Sequence, residues 1–318
     1  MSEDHPKKHV FGPVPSRRLG RSLGVDLVPF KTCSYNCVYC QLGRTTCLTT
    51  ERKEWAPAED VLQQVKLKLS GQTQPDFITF SGSGEPTLHS RIGEIIRHIK
   101  KTTDIPVAVL TNGSLLWQPE VRESLLPADV VMPSLDAGDE SLFRCVNRPH
   151  PSVSFDLMLA GLRSFREEYR GQYSLEVFLL RGVTGIEVET RKIAAIVEQL
   201  RPDRVHLNTV ARPPAEDFAL AVPRERMAQL CVLFGRRAEV IGEESRIREH
   251  VDLAARRDDV LSLLQRRPCT ADDIAEGLGM ERRDVMKYLG GLLSEGSVTQ
   301  RKQDTQTYYL AAGKGTIG

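Results

Sequence analysis

The chain has 318 residues, of which 40% are hydrophobic and 27% charged, a balance that belongs to folded globular proteins and excludes a disordered or fibrous polymer. A formal net charge of +1 excludes a globally basic nucleic-acid binder, so any such role must rest on a local patch. The first ten residues are polar and charged, unlike a secretory signal, and no stretch has the length of a membrane span, so the expected location is the cytoplasm.

From Leu23 to about Gly242, short β-branched runs alternate with stretches of helical period, which predicts βα units on a parallel sheet. Strands are expected at residues 23–28, 77–80, 106–110, 130–135, 175–180 and 205–210. Between them Ile92, Ile95, Ile96 and Ile99 fall at i, i+3, i+4, i+7, and Ile193, Ile196, Val197 and Leu200 repeat the spacing, so each helix carries one apolar stripe to lay on the sheet. Periodicity alone does not choose between an incomplete barrel and an open sheet. In either, the loops at the carboxyl ends of the strands line the site. Here they carry residues 81–86, 111–113, Asp136 and Asn208, so polar and glycine residues gather on one rim.

Past Gly242 the chain becomes dense in charge, then Val260, Leu261, Leu263 and Leu264 open a new apolar helix, which sets a domain boundary near residue 250. Thr270 with Asp273 reads as a capping pair for a short helix ending at Gly277, and Val285, Leu289 and Leu292 mark a second helix. Residues 297–300 and 306–310 are expected to form a hairpin around 301–304. This is the order of a winged helix-turn-helix domain over residues 251–318, appended to a core domain over 1–250. Arg282, Arg283 and Lys287 would lie on its second helix and Arg301 and Lys302 on its wing, a distribution compatible with phosphate contacts but interleaved with acids.

Of seven cysteines, three crowd into eight residues, as Cys33-x3-Cys37-x2-Cys40 just after the first predicted strand. That distribution suits metal chemistry in a reducing compartment better than disulfides. A zinc site is the plainer alternative, but it asks for four ligands in paired spacings, and no histidine lies close in sequence. An iron–sulfur cubane is normally held by four cysteines, and one held by three leaves an iron open to an outside ligand. Cys47, Cys145, Cys231 and Cys269 are scattered and read as small buried hydrophobes.

With its aromatic Tyr39, the run Cys33-Ser-Tyr-Asn-Cys37-Val-Tyr39-Cys40 resembles the CxxxCxΦC signature of the radical S-adenosylmethionine (SAM) superfamily. Ser83-Gly84-Glu85-Pro86 resembles that family's GGE motif with serine in place of the first glycine. The resemblance spans roughly residues 10–240. It implies an α/β fold with a partial (βα)6 TIM-type barrel, a [4Fe-4S] cluster on Cys33, Cys37 and Cys40, and SAM contacts from Tyr39, Gly82, Ser83, Gly84, Glu85, Pro86, Thr111, Asn112, Ser134, Asp136 and Asn208. Read from the residues alone, the 82–86 segment and Thr111-Asn112-Gly113 are also good turn chemistry, and Asp136 would serve as a helix cap. The implied reaction is reductive cleavage of SAM to a 5′-deoxyadenosyl radical, with a flavodoxin- or ferredoxin-type electron donor.

Residues 11–24 and 79–88 further resemble the wyosine-synthase-like iron–sulfur oxidoreductases, which modify a tRNA base. The chain departs from the wyosine enzymes in having no cysteine before Cys33 and no flavodoxin-like domain. Arg17, Arg18 and Arg21 are either substrate anion contacts or solvated charges, and the stretch 208–214 with Arg212 is either a substrate-facing loop or punctuation. The leading expectation is an enzyme acting on a macromolecule such as an RNA base, delivered by the winged helix. The alternatives are a redox- or iron-responsive DNA-binding regulator and a radical activase acting on a partner protein.

Overall fold

A computed structural model of the chain describes residues 8–16, 18–71, 74–241, 257–303 and 305–312. In order these hold β1 (Val10–Ser16), β2 (Gly20–Val25), β3 (Thr32–Cys33), β4 (Cys47–Leu48), α1 (Ala58–Leu69), β5 (Phe77–Phe80), α2 (Ile92–Thr102), β6 (Val107–Thr111), α3 (Pro119–Leu125), β7 (Val130–Pro133), α4 (Glu140–Val146), α5 (Phe155–Glu168), β8 (Gln172–Phe178), α6 (Glu187–Leu200), β9 (Arg204–Asn208), α7 (Arg224–Cys231) and β10 (Ala238–Val240). They continue with α8 (Arg257–Leu264), α9 (Ala271–Leu278), α10 (Arg282–Ser294), β11 (Val298–Gln303) and β12 (Gln306–Ala311). The proposed boundary at residue 250, and Arg17, lie outside the described residues.

Eight strands form one sheet in the order β1-β2-β5-β6-β7-β8-β9-β10, parallel throughout except for β1, which pairs antiparallel with β2. All six expected strands are present within a few residues. The sequence reading missed the edge strand β1, too glycine- and proline-rich to score as extended, and the three-residue β10.

Side-chain alternation divides the sheet's two faces. Ile78, Val107, Val109 and Val131 point into the main core, where α2 buries Ile92, Ile95, Ile96 and Ile99 and α6 buries Ile193, Val197 and Leu200. The other face begins with a small cluster of Leu19, Ala108, Val130 and Met132. Elsewhere it is polar: the Ser22 hydroxyl donates to Thr79 Oγ1 at 2.6 Å, and Arg18 pairs with Glu176. Arg18 is thus one of the sequence's ambiguous arginines that turns inward, whereas Arg21 pairs with Asp76 at the surface.

The carboxy-terminal helices and hairpin bury a separate cluster, with Val260, Leu264, Ile274, Val285, Leu289 and Leu292 among its members, against which Val14 of β1 packs. Thr270 and Asp273 form the expected reciprocal capping box. The helix runs to Leu278 rather than Gly277, because Gly279, at φ 62°, supplies the left-handed turn that stops it. The antiparallel β11–β12 pair is compatible with a wing.

Candidate active site

The rim at the carboxyl ends of β2, β5, β6, β7 and β8 is where loops meet, and hydrogen bonds tie them into one structure. The loop carrying the three cysteines is stitched to the 82–86 loop twice: Lys31 N–H donates to the Ser83 carbonyl at 2.6 Å, and Glu85 N–H to the Thr32 carbonyl at 3.1 Å. Close approach requires glycine at two places. A Cβ on Gly84 would stand 1.8 Å from the Thr32 carbonyl oxygen, and one on Gly82, at φ 110°, 1.9 Å from Asp26 Oδ1.

Glu85 is buried with its carboxylate turned into the protein. Its Oε1 accepts from Thr87 N–H (3.0 Å), the Thr87 hydroxyl (2.6 Å) and the Thr111 hydroxyl (2.7 Å), and its Oε2 from Asn112 N–H at 2.7 Å. Burial raises its pKa, and these donors oppose the rise. Glu85 therefore fixes the end of β5 to the end of β6. Asn112 extends the link, its side-chain amide donating to Ser34 Oγ at 2.8 Å with Cys33 Sγ at 3.5 Å.

Cys33, Cys37 and Cys40 are free and half-buried. Burial pushes the Cys33 thiol up to about 12, with the Glu85 charge adding to it, and burial likewise raises Cys37, with Cys33 adding to that. Such thiols stay protonated unless a cationic metal compensates their desolvation. Around them stand four nitrogen donors: the Asn112 amide and the Tyr35 N–H, each 3.5 Å from Cys33 Sγ, the Asn147 amide 3.6 Å from Cys37 Sγ, and the Lys31 ammonium 3.1 Å from Cys40 Sγ. Among the described residues no three His, Cys, Asp or Glu side chains converge tightly enough for one metal ion. A cubane asks for something else, one thiolate per iron, and three separated thiols ringed by donors fit it.

Tyr39 and Asp136 form the next layer. The Tyr39 hydroxyl donates to Asp136 Oδ2 at 2.5 Å, Asn147 donates to the same oxygen at 2.7 Å, and Phe178 N–H donates to Oδ1 at 3.0 Å. Burial lifts the Asp136 carboxyl to about 6 against these bonds. Asp136 does not cap the following helix; Asp139 does, accepting from Leu142 N–H. The Tyr39 ring stacks on Phe178 with centroids 3.9 Å apart and planes within 10°, leaving an aromatic surface beside the cysteine loop. Asn208 closes the row at the end of β9, its amide 3.2 Å from Glu176 Oε1, and Ser134 is bridged through its backbone to Glu176.

The rim thus joins Cys33, Cys37, Cys40, Tyr39, residues 82–86, Thr111, Asn112 and Asp136 directly, with Ser134 and Asn208 reached through Glu176. Sequence reasoning passed over Asp26, Lys31, Asn147 and Phe178. Only Asp26 carried a signal, as a lone carboxylate inside the apolar run Leu23-Gly24-Val25-Asp26-Leu27-Val28. The expectation that the remaining cysteines are buried holds for Cys269 alone; Cys231 is half-buried, and Cys47 and Cys145 are exposed because they sit on a two-residue strand and an outer helix face.

Residues 27–194 match the family model described as the radical SAM superfamily. The chain belongs to that superfamily, whose members are in general enzymes working with a [4Fe-4S] cluster and SAM and needing an electron donor. It is 33% identical over 314 residues to UPF0026 protein MJ1312 of Methanocaldococcus jannaschii, covering 94% of this chain and 95% of that one. It is 38% identical over 296 residues to a Brachyspira hyodysenteriae protein called GTPase Obg, covering 92% of this chain but only 44% of that longer one. A more distant relative, 23% identical over 156 residues, is the SAM-dependent tRNA 4-demethylwyosine synthase of Pyrococcus abyssi, with 42% of this chain and 45% of that one covered. In fold the chain is similar to a radical SAM methyltransferase from Sphaerobacter thermophilus, at TM-score 0.52 and 18% identity over 69% of this chain and 66% of that one. Among the described residues no helix is long and apolar enough to cross a membrane.

Proposed function

We propose that Cys33, Cys37 and Cys40 hold the [4Fe-4S] cluster and that the adjoining rim holds SAM, with the protein modifying an RNA base. The observation that supports the cofactor reading is the double stitch between the cysteine loop and the 82–86 loop, which holds the three cysteines beside the segment proposed here to meet the methionine end of SAM. When bound, the cluster and SAM would supply the chemistry, reductive cleavage of SAM with release of methionine and radical abstraction of a substrate hydrogen. The chain's own residues do the placing. The backbone of Gly82, Ser83, Gly84 and Pro86 would meet the methionine end, with Glu85 as the internal brace that keeps this loop in shape. Tyr39 on Phe178 offers a stacking surface for the adenine, and Asn112, Ser134, Asp136 and Asn208 offer amide, hydroxyl and carboxyl groups for ribose and carboxylate.

The RNA reading rests on the likeness of residues 11–24 and 79–88 to wyosine-synthase-like proteins, on the Pyrococcus relative's name, and on a polar inner face holding Arg18, Glu176 and Asn208. The carboxy-terminal unit, read as a winged helix, does not strengthen it. On α10, Arg282 pairs with Asp272, Arg283 with Glu281, and Lys287 with Asp284, which leaves little uncompensated charge for phosphate. A DNA-binding regulator is disfavoured on the same ground, and nothing on the rim favours a partner-protein activase. The test is to incubate reconstituted, reduced protein and SAM with total tRNA and with a protein extract of the same cells. Mass spectrometry of digested nucleosides should show a new modified base that depends on Cys37; modification of protein alone would overturn the RNA assignment.

A further inference from the structure

The carboxy-terminal unit touches the rim beside the 82–86 loop, on which the cofactor reading most depends. Arg266, just past α8, forms an ion pair with Asp26 at the carboxyl end of β2, the two side chains being 12% and 8% exposed. The same Asp26 accepts Ser83 N–H through Oδ1 at 2.8 Å, in the space that Gly82 leaves by lacking a Cβ. The Arg266 guanidinium lies 3.6 Å above the Phe11 ring, which itself rests on Gly24, so the arginine is held by β1 as well as by its carboxylate. Lesser ties run alongside. The Tyr308 hydroxyl donates to the Ala211 carbonyl at 2.9 Å, Arg301 pairs with Asp217 at 2.7 Å, and Arg212 stands between Asp273 at 3.6 Å and Gln41, the neighbour of Cys40, at 3.5 Å.

We propose that the carboxy-terminal unit is a working part of the SAM site, in which Arg266 acts as a positioning residue that fixes the Ser83 backbone through Asp26. The proposal rests on the rim being the SAM site and adds how that site is kept in shape. The physical argument is one of desolvation. A buried carboxylate with only one backbone N–H is costly, and a charge-assisted bond to a guanidinium makes it affordable and rigid. Remove the arginine and Asp26 seeks water, taking Ser83 with it. The 82–86 loop then loses its tether on the side away from Lys31. Docking of the carboxy-terminal unit and readiness of the rim for SAM are therefore one equilibrium, and whatever displaces that unit weakens SAM binding.

The test uses the full chain with Arg266→Gln, Arg266→Lys and Asp26→Asn. In cofactor-free protein, amide hydrogen exchange at residues 82–85 should speed up about tenfold in Arg266→Gln and Asp26→Asn, part-way in Arg266→Lys, with exchange in β6 unchanged as the check on global folding. With the reconstituted cluster, the Kd and KM for SAM should rise about tenfold in the same order while kcat at saturating SAM stays within about threefold. Loop exchange and SAM affinity both at wild-type values in a folded Arg266→Gln protein would overturn the proposal. Loop exchange that responds in a protein that never binds SAM would leave the tether standing and sink the SAM assignment instead.

Discussion

Replacing Gly84 with alanine puts a methyl group where the Thr32 carbonyl oxygen already is. The added Cβ would lie 1.8 Å from that oxygen, 2.8 Å from its carbon and 2.9 Å from Val28 Cγ2, so the loop must retreat by more than an ångström. The obstruction is backbone, which cannot swing aside as a side chain does, and retreat breaks the 3.1 Å bond from Glu85 N–H to the same oxygen. Forced overpacking costs about 1–3 kcal/mol, and an orphaned buried amide adds about 1 kcal/mol. With about 2–4 °C per kcal/mol for chains of 150–250 residues, Tm should fall on the order of 5–15 °C. Differential scanning calorimetry of cofactor-free protein measures it, with Gly290→Ala, where nothing stands within 4 Å, as the comparison. A Gly84→Ala protein melting within about 1 °C of wild type would refute the close approach between the two loops.

Further outcomes follow from the same geometry. His89 is fully buried, its Nε2 2.8 Å from the Ala56 carbonyl, and burial lowers its pKa below 6.5. The unfolded chain therefore takes up a proton that the folded chain resists, and stability should fall as pH drops below about 6.5, by at most about 1.4 kcal/mol per pH unit; because burial lowers His206 in the same direction, urea titrations at pH 7.5 and 5.5 should show a larger loss in wild type than in His89→Gln, and equal losses would contradict it. Lys31→Met removes the ammonium beside Cys40 and should make the cluster harder to reduce, because the cation favours the more negative reduced state; a potentiometric titration followed by electron paramagnetic resonance reads the direction, and an unchanged or raised potential contradicts it. Asn147→Ala deletes the amide joining Cys37 to Asp136 and should cost about 1–3 kcal/mol of stability, seen as a lower urea midpoint; an unmoved midpoint would mean the amide is not holding that layer together.

The parallel sheet was legible because its strands are buried on one face by helices and so read as β-branched runs, and because Ile92, Ile95, Ile96 and Ile99 keep a strict helical spacing. The edge strand β1 was not, since an edge tolerates the glycine and proline that a pattern search counts against a strand. At the site, the cysteines, Tyr39 and the 82–86 loop announce themselves by local spacing. The residues that hold them in place do not: Asp26 meets Ser83 across 57 positions, Asn147 meets Cys37 across 110, and Arg266 reaches Asp26 from the far end of the chain. Contacts of that range leave no periodic trace in a single sequence. The acids interleaved with the basic residues of α10 were legible: Arg283 and Lys287 pair with the neighbours Glu281 and Asp284, and only the Arg282–Asp272 pair needed the fold.

The most direct measurement is anaerobic. Reconstitute and reduce the cluster, add SAM, and quantify 5′-deoxyadenosine for wild type and Cys37→Ala, whose thiol stands in the middle of the proposed ligand run. The account predicts formation by wild type and none by the variant; a wild-type protein that carries an intact, reduced cluster and leaves SAM uncleaved would contradict it.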